Sequence, residues 1–220
     1  MSSKENPQHP TSRESQTVSS ARQDFQRLLR ANAWPGIIES SQRLRPGRRK
    51  ETKTIIDFLD PQKDDQVLEI GYNLGYLLRQ TGMKNSECQY TAIDINKPPK
   101  IAKERAGEMG ATIMQADGTN TPFADNTFNK IVISHLLEHF DDPSVILNEI
   151  SRLLSKNGSV IIAVPKERFK TPLSNLKGHK QFFGNIEKLK ILLKENGFEV
   201  TEDKKAGGNF VIKAKMKSLT

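Results

Sequence analysis

Three carboxylates stand near the ends of hydrophobic runs in the middle of the chain: Glu69 in VLEIG, Asp94 in YTAIDI and Asp117 in MQADG. A carboxylate has two oxygens that accept hydrogen bonds, so it suits a ligand that carries vicinal hydroxyls or an amino group. Burying such a group without a partner is costly, which favours a polar ligand at these positions. The alternatives are structural: Glu69 capping backbone amides, Asp94 capping a helix, and Asp117 forming an ordinary Asp-Gly turn.

A glycine turn follows the first of these runs, in VLEIGYNLGYLL at residues 67–78. Gly71 and Gly75 let the backbone approach a ligand, and a helix that begins after the turn offers its N-terminal amides to an anion. Asn73 stands between them. Asparagine is one of the few residues other than glycine that adopt positive φ, so we expect the turn to keep its shape. The G-x-G-x-x-G pattern of nicotinamide-dependent enzymes is absent, which disfavours a dehydrogenase.

Two histidines are candidates for acid–base chemistry. His135 follows the hydrophobic run KIVIS and begins HLLEH, and His179 lies in the basic stretch KERFKTPLSNLKGHKQFF. An unperturbed imidazole has a pKa near about 6.5 and can therefore accept a proton at neutral pH. His135 and His139 are four residues apart and would share one face of a helix. HLLEH nevertheless lacks the glutamate position of the HExxH zinc motif, so we predict no metal site.

Strands that alternate with helices must position these residues. Near-continuous hydrophobic runs between helical patterns indicate a parallel sheet covered on both faces. FEVTED and NFVIKAKM flank KKAGG and predict a C-terminal antiparallel hairpin. We therefore predict an α/β, Rossmann-like, doubly wound and mostly parallel seven-stranded sheet. The other predicted strands are QVLEI (66–70), YTAID (90–94), ATIMQA (111–116), KIVIS (130–134) and SVIIAV (159–164). The predicted helices are 74–80, 99–109, PSVILNEISRLLSKNG and NIEKLKILLKENG, the last two with Gly158 and Gly197 as their stops.

The chain before residue 61 differs from the rest. Residues 1–19 have almost no large hydrophobic side chain and are predicted to be disordered. Residues 20–60 predict an N-terminal helical extension, with one helix from Ser20 and a second in RRKETKTIIDFL, and residues 61–220 are predicted to form the main domain. No segment has the pattern of a signal peptide or of a membrane span of about 18 residues, and the single Cys88 excludes an internal disulfide. We therefore expect a cytoplasmic protein.

Charge is unevenly distributed along the sequence. The formal net charge is +8, with −5 over residues 101–150 and +9 over residues 151–220. Residues 166–180 hold five lysines or arginines, together with His179, against the single acid Glu167. Such a cluster attracts a small anion, a nucleic acid or an acidic lipid, or it is only a solvated surface.

VLEIGYNLGYL resembles the first motif of class I S-adenosylmethionine (SAM)-dependent methyltransferases, usually E-x-G-x-G-x-G, with Asn73 in place of the middle glycine. Later segments are similar to the following motifs of the small-molecule branch called type 11, in the same order: YTAIDIN, MQADGTNTPFADNTFNKIVISHLLEHFDDP, LSKNGSVIIAVP and GHKQFFGNIEKLKILLKENGFEV. The likeness extends from about residue 50 to residue 215. It implies a Rossmann-like SAM-binding domain that needs no metal.

The resemblance also implies roles for individual residues. Glu69 would orient the glycine loop, Asp94 would accept from both ribose hydroxyls, and Asp117 would accept from the adenine amino group. The cofactor-binding residues that it implies are Glu69, Gly71, Tyr72, Asn73, Gly75, Asp94, Ile95, Asp117, Gly118, Ser134 and His135. On the acceptor side, His135 and His179 are the catalytic candidates, and the substrate-binding candidates are Arg168, Lys170 and His179.

The expected activity is methyl transfer from SAM to a small, anionic acceptor, and two alternatives remain. A nucleic-acid methyltransferase fits the basic charge, although SHLLEH differs from the D/N-P-P-Y/F tetrapeptide of amino-methylating enzymes. A non-catalytic cofactor-binding module that regulates a partner fits Asn73. The side chain of that residue either donates a hydrogen bond to the methionine end of the cofactor or crowds it.

Overall fold

The structure is a computed structural model, and it describes residues 47–166 and 185–217. Several predicted features lie outside the described residues: the tail at 1–19, the helix that begins at Ser20, and the acceptor-side candidates Arg168, Lys170 and His179. Of the predicted N-terminal extension, the structure describes the second helix. Within the two described ranges, none of the helices has the length and hydrophobicity that a membrane crossing needs.

Helices and strands alternate along the described residues. The α-helices are α1 (Arg48–Leu59), α2 (Tyr76–Lys84), α3 (Lys100–Glu108), α4 (Ser144–Leu153) and α5 (Ile186–Glu195), and one 3-10 turn spans Leu137–His139. The strands are β1 (Gln66–Ile70), β2 (Gln89–Asp94), β3 (Thr112–Gln115), β4 (Phe128–Ser134), β5 (Leu154–Pro165), β6 (Phe198–Ala206) and β7 (Asn209–Met216). Each strand and helix predicted within the described residues has its counterpart in this order.

The seven strands form one sheet in the order β3-β2-β1-β4-β5-β7-β6. Strands β1 to β5 run parallel to one another, and β7 is antiparallel to both β5 and β6. The predicted mostly parallel, doubly wound sheet with a C-terminal hairpin is therefore confirmed. The strand order reverses between β1 and β4, because β2 and β3 lie on one side of β1 and the later strands on the other. Open α/β sheets bind ligands at this switch point.

Alternate side chains of the strands pack on opposite faces of the sheet and form two hydrophobic layers. Leu68 and Ile70 of β1 pack with α4 and α5, whereas Val67 packs with α1, α2 and α3. Ile55 and Leu59 bring α1 into this second layer, where both are fully buried. Burying a side chain of this size contributes about 1.5–3 kcal/mol. Helix α1 is therefore held firmly against the sheet.

Helix α4 ends earlier than predicted. The sequence places its stop at Gly158, whereas the helix ends at Leu153 and the chain enters β5 at once. Leu154 is extended and buried, and it pairs with Phe128 of β4, so burial in the sheet layer takes the place of a further helical turn. Gly158 lies within β5, where a Cβ would be 3.0 Å from the carbonyl oxygen of Asn129. Such a Cβ would also be 2.9 Å from Cγ of Leu154 and from the carbonyl oxygen of Ser155, both in β5, so a side chain at this position would be crowded on two sides.

Candidate functional site

The ends of three neighbouring strands bring the candidate residues to one edge of the sheet. In the parallel register, Ile70 of β1 lies opposite Ile93 of β2 and Ile133 of β4. The next residue of each chain segment therefore lies at the carboxyl edge of the sheet: Gly71, Asp94 and Ser134. This edge gathers the glycine turn, a carboxylate and the segment that contains His135.

The loop from Gly71 to Gly75 is held in a left-handed turn. Gly71, Asn73 and Gly75 have φ of 93°, 50° and 70°. Asn73 thus adopts the positive φ that the sequence analysis expected it to tolerate. The guanidinium of Arg105, a buried residue of α3, donates to the carbonyl of Leu74 at 2.8 Å. The loop is therefore attached to α3 as well as to the sheet.

Asp94 ends β2 and faces the glycine loop. It is buried, and one carboxylate oxygen accepts from the backbone N–H of Asn73 at 3.3 Å. The other oxygen accepts from the backbone N–H and the side-chain amide of Asn96, both at 3.0 Å. Helix α3 begins later, at Lys100, and has no side-chain cap, so the helix-cap alternative for Asp94 is wrong. The carboxylate instead connects the loops that follow β1 and β2.

Two buried side chains connect β1 and its loop to β2. The carboxylate of Glu69 accepts from the Tyr90 hydroxyl at 3.0 Å, and burial raises the pKa of Glu69 to about 7. Because this carboxyl group titrates near neutral pH, an approaching cation would favour its charged form. The Tyr72 hydroxyl donates to the Asn96 carbonyl at 2.8 Å. Tyr72 therefore stabilises the loop in this arrangement.

The segment after β3 contains Asp117 and Gly118. One oxygen of Asp117 accepts from the N–H and the hydroxyl of Thr119, at 2.9 and 2.7 Å. These hydrogen bonds belong to a local turn, which is the structural alternative that the sequence offered for Asp117. Gly118 is buried, and a Cβ there would lie 2.5 Å from Cγ2 of Ile70. Glycine therefore allows this segment to pack against the end of β1. A side-chain amide from β3 donates to the Ile95 carbonyl at 2.8 Å nearby.

An ion pair between the buried Glu149 and the partly exposed Arg152, which the sequence analysis did not single out, holds the same segment. Glu149 of α4 accepts from the N–H and the hydroxyl of Thr121, at 2.8 and 2.6 Å, and pairs with Arg152 at 2.6 Å. Burial opposes ionisation of Glu149, but hydrogen bonds from Arg152 and Thr121 outweigh it and lower the pKa of this carboxyl group. Thr121 and Glu149 are 28 residues apart, so no local pattern marks their contact.

His135 follows β4 in a left-handed conformation. Its φ is 54°, and its backbone N–H donates to the carbonyl of Ala163 in β5 at 2.8 Å. Positive φ is uncommon for a residue other than glycine, and such strain is concentrated at functional sites. The predicted helical face shared by His135 and His139 is wrong, because only Leu137–His139 is helical, as a single 3-10 turn. Across residues 47–166 and 185–217, no group of three or more His, Cys, Asp or Glu side chains could hold a metal ion.

Both ring nitrogens of His135 face carboxylates. Nε2 lies 2.6 Å from Oε1 of Glu51 in α1, and Nδ1 lies 3.4 Å from Oε1 of Glu138. Burial alone would lower the pKa of His135, but the hydrogen bonds and charges of Glu138 and Glu51 raise that pKa to about 10. The imidazole is therefore protonated at neutral pH and has no lone pair with which to accept a proton. This arrangement does not support the base role considered from the sequence.

Glu51 connects three elements at the carboxyl edge. While one of its oxygens contacts His135, the other accepts from the side-chain amide of Asn209, at the start of β7, at 2.8 Å. Neither Glu51 nor Asn209 was a candidate site residue. The available signals were an acidic residue in the helical run RRKETKTIIDFL and an asparagine after the hairpin glycines, and neither is specific.

The chain is similar in sequence to proteins named as methyltransferases. A family model described as a methyltransferase domain matches residues 68–162. YrhH of Bacillus subtilis (strain 168), named as a methyltransferase, is 31% identical over 138 residues, which are 58% of this chain and 77% of YrhH. The ubiquinone/menaquinone biosynthesis C-methyltransferase UbiE of Desulfotalea psychrophila is 30% identical over 97 residues. That match covers 44% of this chain and 39% of UbiE, so the chain spans less than half the length of that relative.

A solved structure shares the fold. The 1,6-didemethyltoxoflavin-N1-methyltransferase of Burkholderia thailandensis, solved with 1,6-didemethyltoxoflavin and S-adenosylhomocysteine bound, superimposes with a TM-score of 0.73. The superposition covers 97% of this chain and 93% of the other. Sequence identity is 16%, so this similarity is one of fold.

Proposed function

The chain belongs to the class I SAM-dependent methyltransferases, whose cofactor is SAM, and we propose that it methylates a small acidic acceptor that binds as its anion. The observation that carries the acceptor class is the pairing of His135 with Glu51 and Glu138. This pairing leaves the histidine protonated and unable to act as a general base. An acceptor that has already lost its proton needs no base from the protein.

The hydrogen-bond acceptors and glycines at the carboxyl edge of the sheet suit SAM. Asp94 offers carboxylate oxygens beside the loop, as the two ribose hydroxyls require. Gly71 and Gly75 place no side chain over the loop, and Glu69 offers a carboxylate whose ionised form suits a cationic amino group. We propose that these four residues hold SAM. The other proposed cofactor contacts are Tyr72, Asn73, Ile95, Asp117, Gly118, Ser134 and His135.

When bound, SAM supplies an electrophilic methyl group on a positively charged sulfur. The chain's own residues bind the reactants, orient the nucleophile towards that methyl group and exclude water. The acceptor loses its proton to solvent before it binds, because His135 already carries one. His179, the other catalytic candidate, lies outside the described residues, and a base role for it is the alternative to an acceptor that binds as its anion.

Two further observations support a small and anionic acceptor. UbiE is named for quinone biosynthesis, and the toxoflavin enzyme was solved with 1,6-didemethyltoxoflavin, so both are named for small molecules. Strand β5 ends at Pro165, at the carboxyl edge, and residues 166–180 carry five lysines or arginines against one acid. Positive charge in this segment would raise the local concentration of an anion. We therefore keep Arg168, Lys170 and His179 as the proposed acceptor-binding residues.

Label transfer from methyl-labelled SAM to a panel of small molecules tests this function. The panel pairs each acid with a neutral analogue, such as a hydroxyaromatic carboxylate with its amide. We expect transfer to the acids, with kcat/KM for the acceptor falling as ionic strength rises, because salt screens charges over about 8–10 Å. Preferential methylation of the neutral analogues, or the absence of any salt dependence, would contradict an anionic acceptor.

The double variant R168A/K170A tests the basic segment. We expect the KM for the acid to rise by about tenfold, equivalent to about 1.4 kcal/mol, with SAM affinity unchanged. K215A/K217A is the matched control, because it removes two exposed lysines from the opposite end of β7 and should change neither value. Loss of single-stranded RNA binding with a steep salt dependence in R168A/K170A would instead favour a nucleic-acid acceptor. SAM binding without transfer to either class of acceptor would favour a regulatory module.

Asn73→Gly tests the departure from the glycine pattern of the family. Asn73 is exposed and already has φ of 50°, so glycine should preserve the loop. We expect SAM affinity, measured by calorimetry, to change by about threefold or more, because one hydrogen bond is worth about 0.5–1.5 kcal/mol. A gain would show that Asn73 crowds the cofactor, and a loss would show that it donates to it. Asn126→Gly is the control, since Asn126 is also exposed with φ of 58° but lies in another loop. Equal SAM affinity in all three proteins would refute both interpretations.

A further inference from the structure

A single carboxylate of α1 joins the ends of two strands at the site. Glu51 is buried in the first turn of α1, where one oxygen lies 2.6 Å from Nε2 of His135 and the other accepts from Asn209 at 2.8 Å. Both oxygens are thus engaged, one by the segment after β4 and one by the start of β7. The hydrophobic residues Ile55 and Leu59 keep the helix against the sheet.

The start of α1 is held by a second contact, with the hairpin. Gly47 caps the helix, and its backbone touches that of Gly207 in the turn between β6 and β7 so closely that a Cβ on either glycine would overlap the other residue. The first turn of α1 therefore has little freedom to shift along the sheet. Glu51 is presented to His135 from a fixed position.

Among the residues at 47–166 and 185–217, the charged groups that act on His135 come from two elements. Glu51 approaches from α1 and Glu138 from the segment of His135 itself, while Asn209 on β7 is neutral and the charge of His139 lowers the pKa of Glu138. The ring remains accessible, since 36% of the His135 side chain is exposed. Among the residues that the structure describes, Oε2 of Glu138 and Oδ1 of Asn209 are buried without a hydrogen-bond donor.

We propose that Glu51 is a positioning residue for methyl transfer, and that through it helix α1 sets the orientation and charge of the His135 ring. The proposal deepens the function proposed above and rests on it. His135 then acts as a fixed cation at the carboxyl edge of the sheet. Glu138 pairs with the other ring nitrogen, Nδ1. Helix α1 is in this way part of the site, although it precedes the region that the family model matches.

Removal of the Glu51 charge should change how His135 titrates. In the native protein the folded-state pKa of His135 lies above the ordinary value of about 6.5, at about 10. The stabilisation from its charged pairs is therefore complete below about pH 6.5 and is lost as pH rises through about 10. Without one of the two carboxylates, the pKa of His135 falls towards its ordinary value. The pH at which the stabilisation is lost then moves towards neutral.

NMR titration of the His135 ring in Glu51→Gln tests the proposal without any acceptor. We expect no titration of His135 between about pH 6 and 8.5 in the native protein and a clear titration in that range in E51Q. Asp57→Asn is the control, because it removes an exposed acid from the same helix and should leave the titration unchanged. If His135 titrates identically in E51Q and the native protein, Glu51 is a structural residue and the proposal is overturned.

Kinetics with the acceptor identified by label transfer give the second measurement. We expect E51Q to lower kcat by about tenfold and to introduce an ionisation near neutral pH into the kcat/KM profile. In the H135Q background, E51Q should lower kcat little further, since the two residues act as one unit. If the reductions in kcat from E51Q and H135Q add in the double variant, Glu51 does not act through His135.

A variant that retains the charge covers the case in which E51Q does not fold. Glu51→Asp keeps the carboxylate but shortens its reach, so we expect His135 to stay protonated near neutral pH while kcat falls. Full kcat in E51D would overturn the positioning role. If no acceptor is found, the titration alone still decides the role of Glu51. If label transfer proceeds while the E51Q titration is unchanged, the positioning role fails and the proposed function stands.

Discussion

Replacement of Asp94 with alanine should weaken SAM binding by at least about tenfold. The proposed ribose contact consists of two hydrogen bonds to a charged group, each worth about 1.5–3 kcal/mol, and about 1.4 kcal/mol corresponds to tenfold in affinity. Isothermal titration calorimetry with SAM and with S-adenosylhomocysteine measures the loss. The effect should be similar for the two ligands, because both carry the same ribose.

Asp94→Asn separates the ligand contact from local structure. Asp94 also accepts hydrogen bonds from Asn73 and Asn96, so we expect D94A to lower the Tm of the ligand-free protein as well. D94N retains an acceptor oxygen and the size of the side chain, so its ligand-free Tm should stay nearer the native value. SAM affinity should still fall in D94N because the charge is gone. Native affinity in D94A would mean that Asp94 only connects the two loops and that the ribose binds elsewhere.

The second large effect is expected in the hairpin, where Gly207→Ala should destabilise the fold by about 2–5 kcal/mol. Gly207 and Gly208 have φ of 62° and 86°, and a side chain in this region costs about 1–2 kcal/mol. A Cβ on Gly207 would also overlap the Gly47 carbonyl, whereas nothing lies within 4 Å of one on Gly208. Overpacking of this kind adds about 1–3 kcal/mol.

Gly208→Ala is the matched control for this contact. Both variants share the cost of positive φ, so the difference in their free energies of unfolding isolates the approach of α1 to the hairpin. Chemical denaturation measures that difference, and thermal unfolding should show a further fall in Tm of about 2–4 °C per kcal/mol in G207A. Because Gly47 caps α1, G207A should also displace Glu51 and shift the titration of His135 towards neutral pH. Equal stability of the two variants would contradict the contact.

The sequence by itself determined the elements of the sheet and the shape of the turn that follows its first strand. QVLEI and KIVIS are hydrophobic enough to specify buried strands, and β1 spans the predicted residues 66–70. Gly71, Asn73 and Gly75 specify a left-handed turn through their own backbone preferences. The run YTAID predicts a strand that ends at Asp94, and β2 ends at that residue. All these inferences depend on local pattern and on the general geometry of a parallel sheet.

Tertiary structure decided the partners and the charge of His135. Its contact with Glu51 joins residues 84 positions apart, and the contact of Glu51 with Asn209 joins residues 158 positions apart. No periodicity encodes such pairs, and the pKa of an imidazole depends on its burial and neighbours more than on its sequence context. Tertiary contacts also decide where α4 ends. LLSKNG is compatible with a helix, but pairing with Phe128 and burial in the sheet layer place Leu154 in a strand. The sequence encodes local preference, and the packed fold selects among the conformations and protonation states that this preference allows.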